Sequence, residues 1–298
     1  MFNIYSVNQL IWSIIMDMIE KFNDAVSYIE QHLQDEIDIE KVSEKAGCSS
    51  YHFQRMFMYL ADMPLSEYIR RRRMSLAATD IKAGERILDV SLKYGYDSPT
   101  AFNRAFKSVL GVAPSAIKKT GTELKAFPRI SFSLTVSGGT ELSFRIEKKD
   151  AFTIMGISAE LSNRLEENFM KVPKMWMKAS LFGTVKKLAA LQNNPDVPGI
   201  LGVSIPENND KWRYYIASAT NASNSKFETR TIPSFTWAIF SGKGTNKDIQ
   251  TLEQRIIKEW LPSSGYEYDN GPDVEVYLTP NPKNAVYEVW IPVQKAKN

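Results

Sequence analysis

Between residues 87 and 114 the apolar side chains recur at helical spacing on both sides of Gly95. These apolar positions are Val90, Tyr94, Phe102, Phe106 and Val109. Gly95 is placed to end a first helix, because glycine alone reaches positive φ without steric cost. Ser98 can then accept a hydrogen bond from the free amides of a second helix, and Pro99 suits the first position of that helix. The pattern predicts a helix-turn-helix unit, whose second helix commonly lies in the DNA major groove.

The predicted second helix has one apolar and one polar face. Its polar positions are Thr100, Asn103, Arg104 and Lys107. Among them, Arg104 is the residue type that forms bidentate hydrogen bonds to a guanine edge. The same separation of faces is also typical of a solvated helix on any globular protein. The pattern of this one helix therefore leaves both interpretations open.

A second copy of the unit lies earlier in the chain, at residues 39–57. Its Gly47 and Ser49 match Gly95 and Ser98, with one extra residue in the second turn. Aligned in this way, Tyr51, Gln54 and Arg55 occupy the positions of Thr100, Asn103 and Arg104. Two copies of one unit, each with an arginine expected on the same exposed face, favour DNA binding over simple solubility.

A helical pattern from Leu65 to Ile81 connects the two copies. At ~1.5 Å per residue it spans roughly 25 Å, which is of the order of the ~34 Å between successive major-groove turns. A rigid helix of this length could set two reading helices one DNA turn apart. The basic run from Arg70 to Arg73 lies on it, and Arg71 is a predicted DNA-binding residue. A solvated helix face is the alternative interpretation of the run.

From about residue 120 the helical spacing gives way to alternation, which indicates strands. Strand-like segments lie at 142–146, 152–154, 200–205, 212–219, 235–241, 274–278 and 286–293, and helix-like segments at 168–191 and 247–260. The order strand, helix, strand, strand occurs twice. We predict a multidomain chain with an all-α N-terminal domain and an α+β C-terminal domain. The latter consists of two similar β-α-β-β halves that pack sheet to sheet, with a cleft for a small molecule between them.

The net charge of +3 is too small to indicate nucleic acid by itself, but its distribution changes the picture. Residues 17–44 hold nine acidic residues and two lysines. Residues 45–125 hold fourteen Lys or Arg and seven Asp or Glu. We therefore expect the first helix to face away from DNA phosphates and the later helices to face them.

The remaining composition excludes several classes of site. One cysteine, Cys48, cannot form an internal disulfide framework and suits a reducing cytoplasm. Two histidines and one cysteine predict no metal cluster, and no cofactor site is predicted. The apolar run at residues 2–16 is shorter than the ~20 residues of a membrane span. We interpret residues 1–16 as an extension before a helix that starts at Asp17, with Met16 or Met18 as a natural first residue.

The N-terminal motifs carry a family resemblance. They are Asp89-Val90-Ser91, Gly95-Tyr96, Ser98, Phe102, Arg104-Ala105-Phe106-Lys107, Gly111 and Pro114, together with HFQRMF at His52–Phe57. This block resembles the AraC/XylS family of bacterial transcription regulators. The resemblance implies a seven-helix domain over residues 17–120 and double-stranded DNA as partner, with RNA polymerase as a further partner. By position, the base-contacting residues would be Tyr51, Gln54, Arg55, Thr100, Asn103 and Arg104.

In the second half, Glu275 is the residue of most chemical interest. Alternation puts it on one face with Asp273 and Tyr277, opposite Val274 and Val276. If that face is outside, Glu275 is simply a solvated acid. However, the runs TELSFRIEKKDAFTIMGIS, EWLPSSGYE, GPDVEVY and IPV resemble the GyrI-like effector-binding domain. The resemblance implies a glutamate at position 275 that binds lipophilic cations inside an aromatic cleft, and we take Trp176, Tyr214 and Tyr277 as its candidate walls.

The leading prediction is a cytoplasmic, non-enzymatic transcription regulator that senses a hydrophobic, cationic compound. Its predicted parts are an extension (1–16), a DNA-binding domain (17–120), a connection (121–140) and an effector-binding domain (141–298). Within the DNA-binding domain, the two helix-turn-helix units cover about 39–60 and 87–110. Two alternatives stay open. One is a small hydrolase fused to a DNA-binding module, with Trp176 and Glu275 in its cleft; the other is a protein that only sequesters a compound.

Overall fold

The computed structural model describes residues 4–117, 125–133, 141–162, 164–207, 211–222, 224, 226–279, 281 and 283–296, with side chains from Asp17 onward. The chain divides into two compact units. Residues 18–134 form the first, and residues 135–298 form the second together with residues 1–17. None of the described helices combines the length and the apolar character that crossing a membrane requires.

The first unit is helical. Its helices are α1 (Ile4–Gln31, of which residues 4–17 are grouped with the second unit), α2 (Ile39–Ala46), α3 (Ser50–Ala61), α4 (Leu65–Lys82), α5 (Ile87–Lys93) and α6 (Pro99–Leu110), followed by a 3₁₀ turn at Pro114–Ala116. The prediction that the first helix starts at Asp17 is wrong, because α1 begins at Ile4. α2–α3 and α5–α6 are the two predicted helix-turn-helix units, and α4 connects them. The predicted domain of seven helices is thus described as six α-helices and the 3₁₀ turn, and residues 118–120 lie outside the described part of the chain.

The local signals read from the sequence form both turns. Gly47 and Gly95 have φ angles of 71° and 81°, in the left-handed region that favours glycine. The Ser49 side chain accepts a hydrogen bond from the His52 amide at 3.3 Å, and Ser98 accepts one from the Ala101 amide at 3.4 Å. These caps satisfy amides at the start of α3 and α6 that have no partner within the helix.

A segment after the helices belongs to the same unit. Residues 125–133, which we call the strap, are bound to α1 and α4 through the strap main chain. Its hydrogen bonds run from the Phe127 amide to Ser75 Oγ (3.1 Å), from the Ile130 amide to the Tyr68 hydroxyl (3.3 Å), from the Phe132 amide to Asn23 Oδ1 (2.8 Å), from Arg72 to the Phe127 carbonyl (2.6 Å) and from Asn23 Nδ2 to the Phe132 carbonyl (2.9 Å). The Phe132 ring also meets the rings of Phe22 and Phe57 edge-on, at 5.7 and 5.8 Å between centroids.

The second unit is built on one antiparallel sheet. Its strands are β1 (Phe144–Lys149), β2 (Phe152–Glu160), β3 (Ile200–Pro206), β4 (Trp212–Ala219), β5 (Glu228–Ile232), β6 (Phe235–Gly244), β7 (Tyr266–Tyr268), β8 (Asp273–Thr279) and β9 (Ala285–Lys295), in the order β1-β6-β9-β8-β3-β4-β2-β5 with β7 beside β9. The helices are α7 (Leu165–Leu181), α8 (Thr184–Leu191) and α9 (Asn246–Arg255), which a π-helical turn at Ile256–Trp260 and a 3₁₀ turn at Leu261–Ser263 continue.

The predicted order of two β-α-β-β halves is confirmed, with two corrections. The halves do not pack face to face. They join edge to edge through β3 and β8, because pairing these two strands satisfies backbone groups that two separate sheets would leave exposed. The helix predicted over 168–191 is two helices, since Gly183, at a φ of 71°, ends the first.

The two faces of the sheet differ where the halves meet. Leu201 and Val203 on β3, with Val274 and Val276 on β8, point into a core that also contains Trp237. Alternation turns the residues between them, Gly202 and Glu275, to the opposite face. The junction therefore carries a solid core on one side and the candidate site on the other.

Candidate functional site

Helix α6 presents the predicted polar face to solvent. Thr100, Asn103, Arg104 and Lys107 are all exposed, while Phe102 and Phe106 are fully buried against α4 and α5. Capping by Ser98 and Pro99 fixes the start of the helix, so that its first two turns carry the three residues expected to meet base edges.

Helix α3 presents fewer of its predicted residues. Tyr51 and Gln54 are partly exposed, but Arg55 is buried, with 8% of its surface accessible. Its guanidinium lies 5.9 Å from the centre of the Tyr59 ring, one helical turn further on. The prediction that both units carry an arginine on the same exposed face is therefore wrong for α3. The tyrosine four residues after Arg55 was the sequence signal for this contact.

The basic run on α4 makes contacts within the unit. Arg71 Nε lies 2.6 Å from Glu67 Oε1, and its guanidinium stacks 4.8 Å from the Phe127 ring of the strap. Arg72 pairs with Glu30 of α1 at 2.7 Å, and both side chains are nearly buried. Although burial opposes it, hydrogen bonds from Arg72 and Tyr68 lower the pKa of the Glu30 carboxyl. Arg72 thus joins α1 to α4.

The cleft face of the second unit centres on Glu275. Strand β8 pairs this residue with Gly202 of β3, at the junction of the two halves. The Tyr277 hydroxyl donates a hydrogen bond to Glu275 Oε2 at 2.8 Å, and the Tyr214 hydroxyl donates to the same oxygen at 3.3 Å. Glu275 is partly buried. Of the two interpretations left open by the sequence, the solvated acid is excluded.

Trp176 of α7 completes this group, which we call the Glu275 cleft. Its indole N–H donates to the Tyr214 hydroxyl at 2.9 Å, and its ring meets that of Tyr277 edge-on at 4.9 Å between centroids. The structure therefore brings together all four residues predicted for the cleft. One chain of hydrogen bonds runs from Trp176 through Tyr214 to Glu275.

The sequence analysis missed Gly202. A Cβ atom at this position would lie 2.2 Å from the Tyr214 hydroxyl oxygen and 2.8 Å from Glu275 Oε2. Only a residue without a side chain lets these two groups meet over β3. A glycine within a largely apolar strand was the available signal, since it often marks a close approach of another group.

Family comparisons agree with this division of the chain. The model for the family described as "Integron-associated effector binding protein" matches residues 145–293, half of the chain. A helix-turn-helix domain model matches residues 42–120. The HTH-type transcriptional activator AarP of Providencia stuartii is 34% identical over 101 residues, which cover 34% of this chain and 75% of that protein. The chain is an AraC-type transcription regulator with a GyrI-like effector-binding domain.

Other relatives match one domain at a time. The transcriptional regulator Rob of Salmonella typhimurium is 36% identical over 113 residues, which are 38% of this AraC-type regulator and 39% of Rob. A solved structure of SAV2435 bound to tetraphenylphosphonium is similar to about half of this chain. The two sequences are 23% identical, the TM-score is 0.45, and the match covers 51% of this chain and 94% of the SAV2435 chain.

Burial perturbs two tyrosines of the GyrI-like domain. Burial, with the nearby charge of Glu275, raises the pKa of the Tyr277 hydroxyl well above 10. Burial also raises the pKa of Tyr287 to about 12. Tyr277 therefore stays a hydrogen-bond donor at physiological pH. The described residues contain no group of three or more His, Cys, Asp or Glu that could hold a metal ion.

Proposed function

We propose that the Glu275 cleft binds a lipophilic cation and that binding alters the regulator's action on DNA. One observation carries this proposal: Glu275 accepts hydrogen bonds from two tyrosine hydroxyls beside the edge-on rings of Trp176 and Tyr277. Neutral hydroxyls orient the carboxylate without cancelling its charge. Aromatic faces attract cations, and a charge that is partly removed from water is stabilised by a counter-charge.

The size of the expected effect follows from Coulomb's law. A cation centred ~5 Å from the carboxylate gains about 3 kcal/mol at an effective dielectric constant of ~20. Solvent reaches the partly buried Glu275, so we expect about 1–3 kcal/mol from this charge pair. Stacking against one indole or phenol ring adds roughly 0.5–2 kcal/mol. Together these terms favour a flat or compact aromatic cation over a neutral compound of the same shape.

For the DNA-binding half, we propose that Thr100, Asn103 and Arg104 read base edges while Lys107 contacts phosphate. From α3 we propose Tyr51 and Gln54 as readers. Arg71 and Arg55 would have to leave their present contacts before touching DNA, so we expect smaller effects from them. Phosphate contacts position the protein and base contacts specify the site. A DNA partner implies a cytoplasmic location, and regulation of transcription implies contact with RNA polymerase.

The test is a titration of the full chain with tetraphenylphosphonium, followed by tryptophan fluorescence and calorimetry. Glu275→Gln keeps the shape of the side chain and removes its charge, so it should weaken binding roughly tenfold or more. Asp150→Asn makes the same charge change at an exposed position and should have no effect. Tetraphenylborate has the same shape with the opposite charge and should not bind.

Three results would contradict the proposal. Equal affinity of Glu275→Gln and the unchanged protein would remove the role of the carboxylate. Saturable binding that leaves promoter affinity and in vitro transcription unchanged would indicate a sequestering protein instead of a sensor. Release of a reaction product, abolished in Glu275→Gln, would indicate the hydrolase.

A further inference from the structure

We propose a second ligand site in the GyrI-like domain, for a small aromatic carboxylate, on the sheet face opposite the Glu275 cleft. A cavity of about 430 Å³ opens there between the ends of β3 and β5 and the turn before β8. Ile205 of β3 lines it, whereas Gly202 of the same strand faces Glu275. Residues an odd number of positions apart lie on opposite faces of a strand, so the two sites share β3 without sharing a surface.

The floor of this cavity, which we call the proline cavity, is apolar. Ile205 and Ile232 are buried at its base, and the partly exposed ring of Phe235 lies beside them. Its volume falls within the ~300–1,000 Å³ typical of small-molecule pockets. One fused aromatic ring system fits such a space and would stack on Phe235.

The walls of the proline cavity are held in place before a ligand arrives. Pro206, Pro233 and Pro272 stand around its opening, at the ends of three strands. Proline fixes one backbone angle and loses little conformational entropy on binding. Gly271 is closely packed as well, since a Cβ atom there would lie 2.7 Å from the Phe235 ring. A preformed wall lowers the ordering cost of binding.

Arg230 supplies the polar group that selects an anion. The register of β2 and β5 pairs Arg230 with Ile154 and Ile232 with Phe152, so Arg230 shares the core-side face with Ile232. It lines the cavity and is exposed to solvent at the mouth. A guanidinium binds a carboxylate through two parallel hydrogen bonds.

The neighbouring charges are already engaged. Arg213 pairs with Glu207 at 2.9 Å, and Glu228 accepts a hydrogen bond from Ser158 at 2.7 Å. Arg230 forms no ion pair with any residue in the part of the chain that the structure describes. An apolar floor with a single available guanidinium at its mouth fits a compound with one ring system and one carboxylate.

The test uses the full chain and 1-naphthoate, with calorimetry for affinity and tryptophan emission as a second readout. Trp237 lies behind Phe235, at 5.6 Å between ring centroids, and should report stacking. We expect saturable binding of one naphthoate per chain. Arg230→Gln should weaken it about tenfold, the usual effect of losing a charge-assisted hydrogen bond. Arg164→Gln changes an exposed arginine elsewhere and should have no effect.

A ligand series keeps the test independent of any variant's folding. 1-Naphthalenemethanol should bind more weakly than 1-naphthoate, and 1-naphthylmethylammonium more weakly still. Glu275→Gln and saturating tetraphenylphosphonium should leave naphthoate binding unchanged, so this proposal can fail without the cation proposal failing, and the reverse. Equal binding of the three naphthalenes, equal binding by Arg230→Gln, or displacement by tetraphenylphosphonium would overturn it.

Discussion

The strap offers the sharpest test of how the AraC-type domain is held together. Phe132→Ala removes a ring that contacts Phe22 and Phe57 edge-on, at 5.7 and 5.8 Å. It leaves intact the two main-chain hydrogen bonds between Phe132 and Asn23, at 2.8 and 2.9 Å. The substitution therefore isolates the side-chain contribution of the strap to the stability of residues 18–134.

The magnitude follows from the contacts. Truncating a fully buried phenylalanine costs about 3–5 kcal/mol, and each edge-on ring pair contributes about 0.5–1.5 kcal/mol beyond buried area. Phe132 is only partly buried, so we expect a loss of about 2 kcal/mol. For a domain of this size, such a loss lowers the melting temperature by roughly 10 °C.

Two signals separate the domains in the full chain. Five of the six tryptophans lie in residues 141–298, and the sixth, Trp12, lies on α1. In a Trp12→Phe background the fluorescence therefore follows the GyrI-like domain, whereas ellipticity at 222 nm follows the helices, most of which belong to the first unit. Phe132→Ala should shift the ellipticity transition and leave the fluorescence transition in place. Phe182→Ala removes a phenylalanine that is 72% exposed and should shift neither. An unmoved ellipticity transition in Phe132→Ala would refute the packing of the strap.

Three further predictions concern the sites. Gly202→Val should abolish tetraphenylphosphonium binding without weakening DNA binding, because its Cβ would displace the Tyr214 hydroxyl 2.2 Å away; calorimetry and gel shift measure the two. Arg104→Ala should reduce the discrimination between bases at one position of the DNA site by ~1–3 kcal/mol. Lys107→Ala should instead weaken binding to every DNA sequence equally and reduce the slope of log affinity against log salt concentration by ~1. Competition assays with operator variants measure both effects. Burial raises the pKa of Tyr287 from 10 to about 12. The neutral hydroxyl therefore stabilises the fold fully below pH ~10, and this stabilisation is lost as the pH rises toward 12. Urea unfolding should show a free energy of unfolding that falls with pH over this range, and Tyr287→Phe should make that fall smaller.

The helix-turn-helix units could be predicted because their signals are local. Gly47 and Gly95 reach a left-handed backbone angle that other residues avoid, and Ser49 and Ser98 cap the helix that follows within three residues. Each signal involves residues that are close in sequence, so it can be recognised without the tertiary structure. The repetition of the pattern then distinguishes it from an ordinary amphipathic helix.

The contacts that sequence reasoning missed are distant in sequence. Arg72 lies in a run of four arginines that looks like a solvated or DNA-facing surface, yet it pairs with Glu30 on another helix. The strap falls within the predicted connection (121–140), which Gly121, Pro128 and the Gly138-Gly139 pair mark in the sequence. Its order comes from side chains such as Asn23 and Tyr68, which satisfy its main-chain groups. A polar partner 100 residues away leaves no periodic signal.

The Glu275 cleft could be predicted from the sequence only in part. Alternation correctly grouped Glu275 with Tyr277, but it could not say whether their face was covered, because a period of two is the same for both faces. Whether the face is covered depends on which strand lies beside β8. That strand is β3, whose Gly202 pairs with Glu275. Trp176 and Tyr214 then come within hydrogen-bond distance of each other from different elements.

The position of this pairing explains why only one of the two paired residues is a glutamate. Gly202 on β3 and Glu275 on β8 hold corresponding positions in the two halves, and each pairs with the other where the halves meet. Tyr214 and Tyr287 also hold corresponding positions. Gly202 pairs with Ile216 on β4 and Glu275 pairs with Val289 on β9, and each tyrosine precedes that partner by two residues. Glutamate in both halves would place two carboxylates side by side, and like charges at that distance cannot both stay ionised. Glycine in both would leave no carboxylate at this pair of positions. The cleft therefore depends on the halves differing at this one position, and Gly202 is as necessary to it as Glu275.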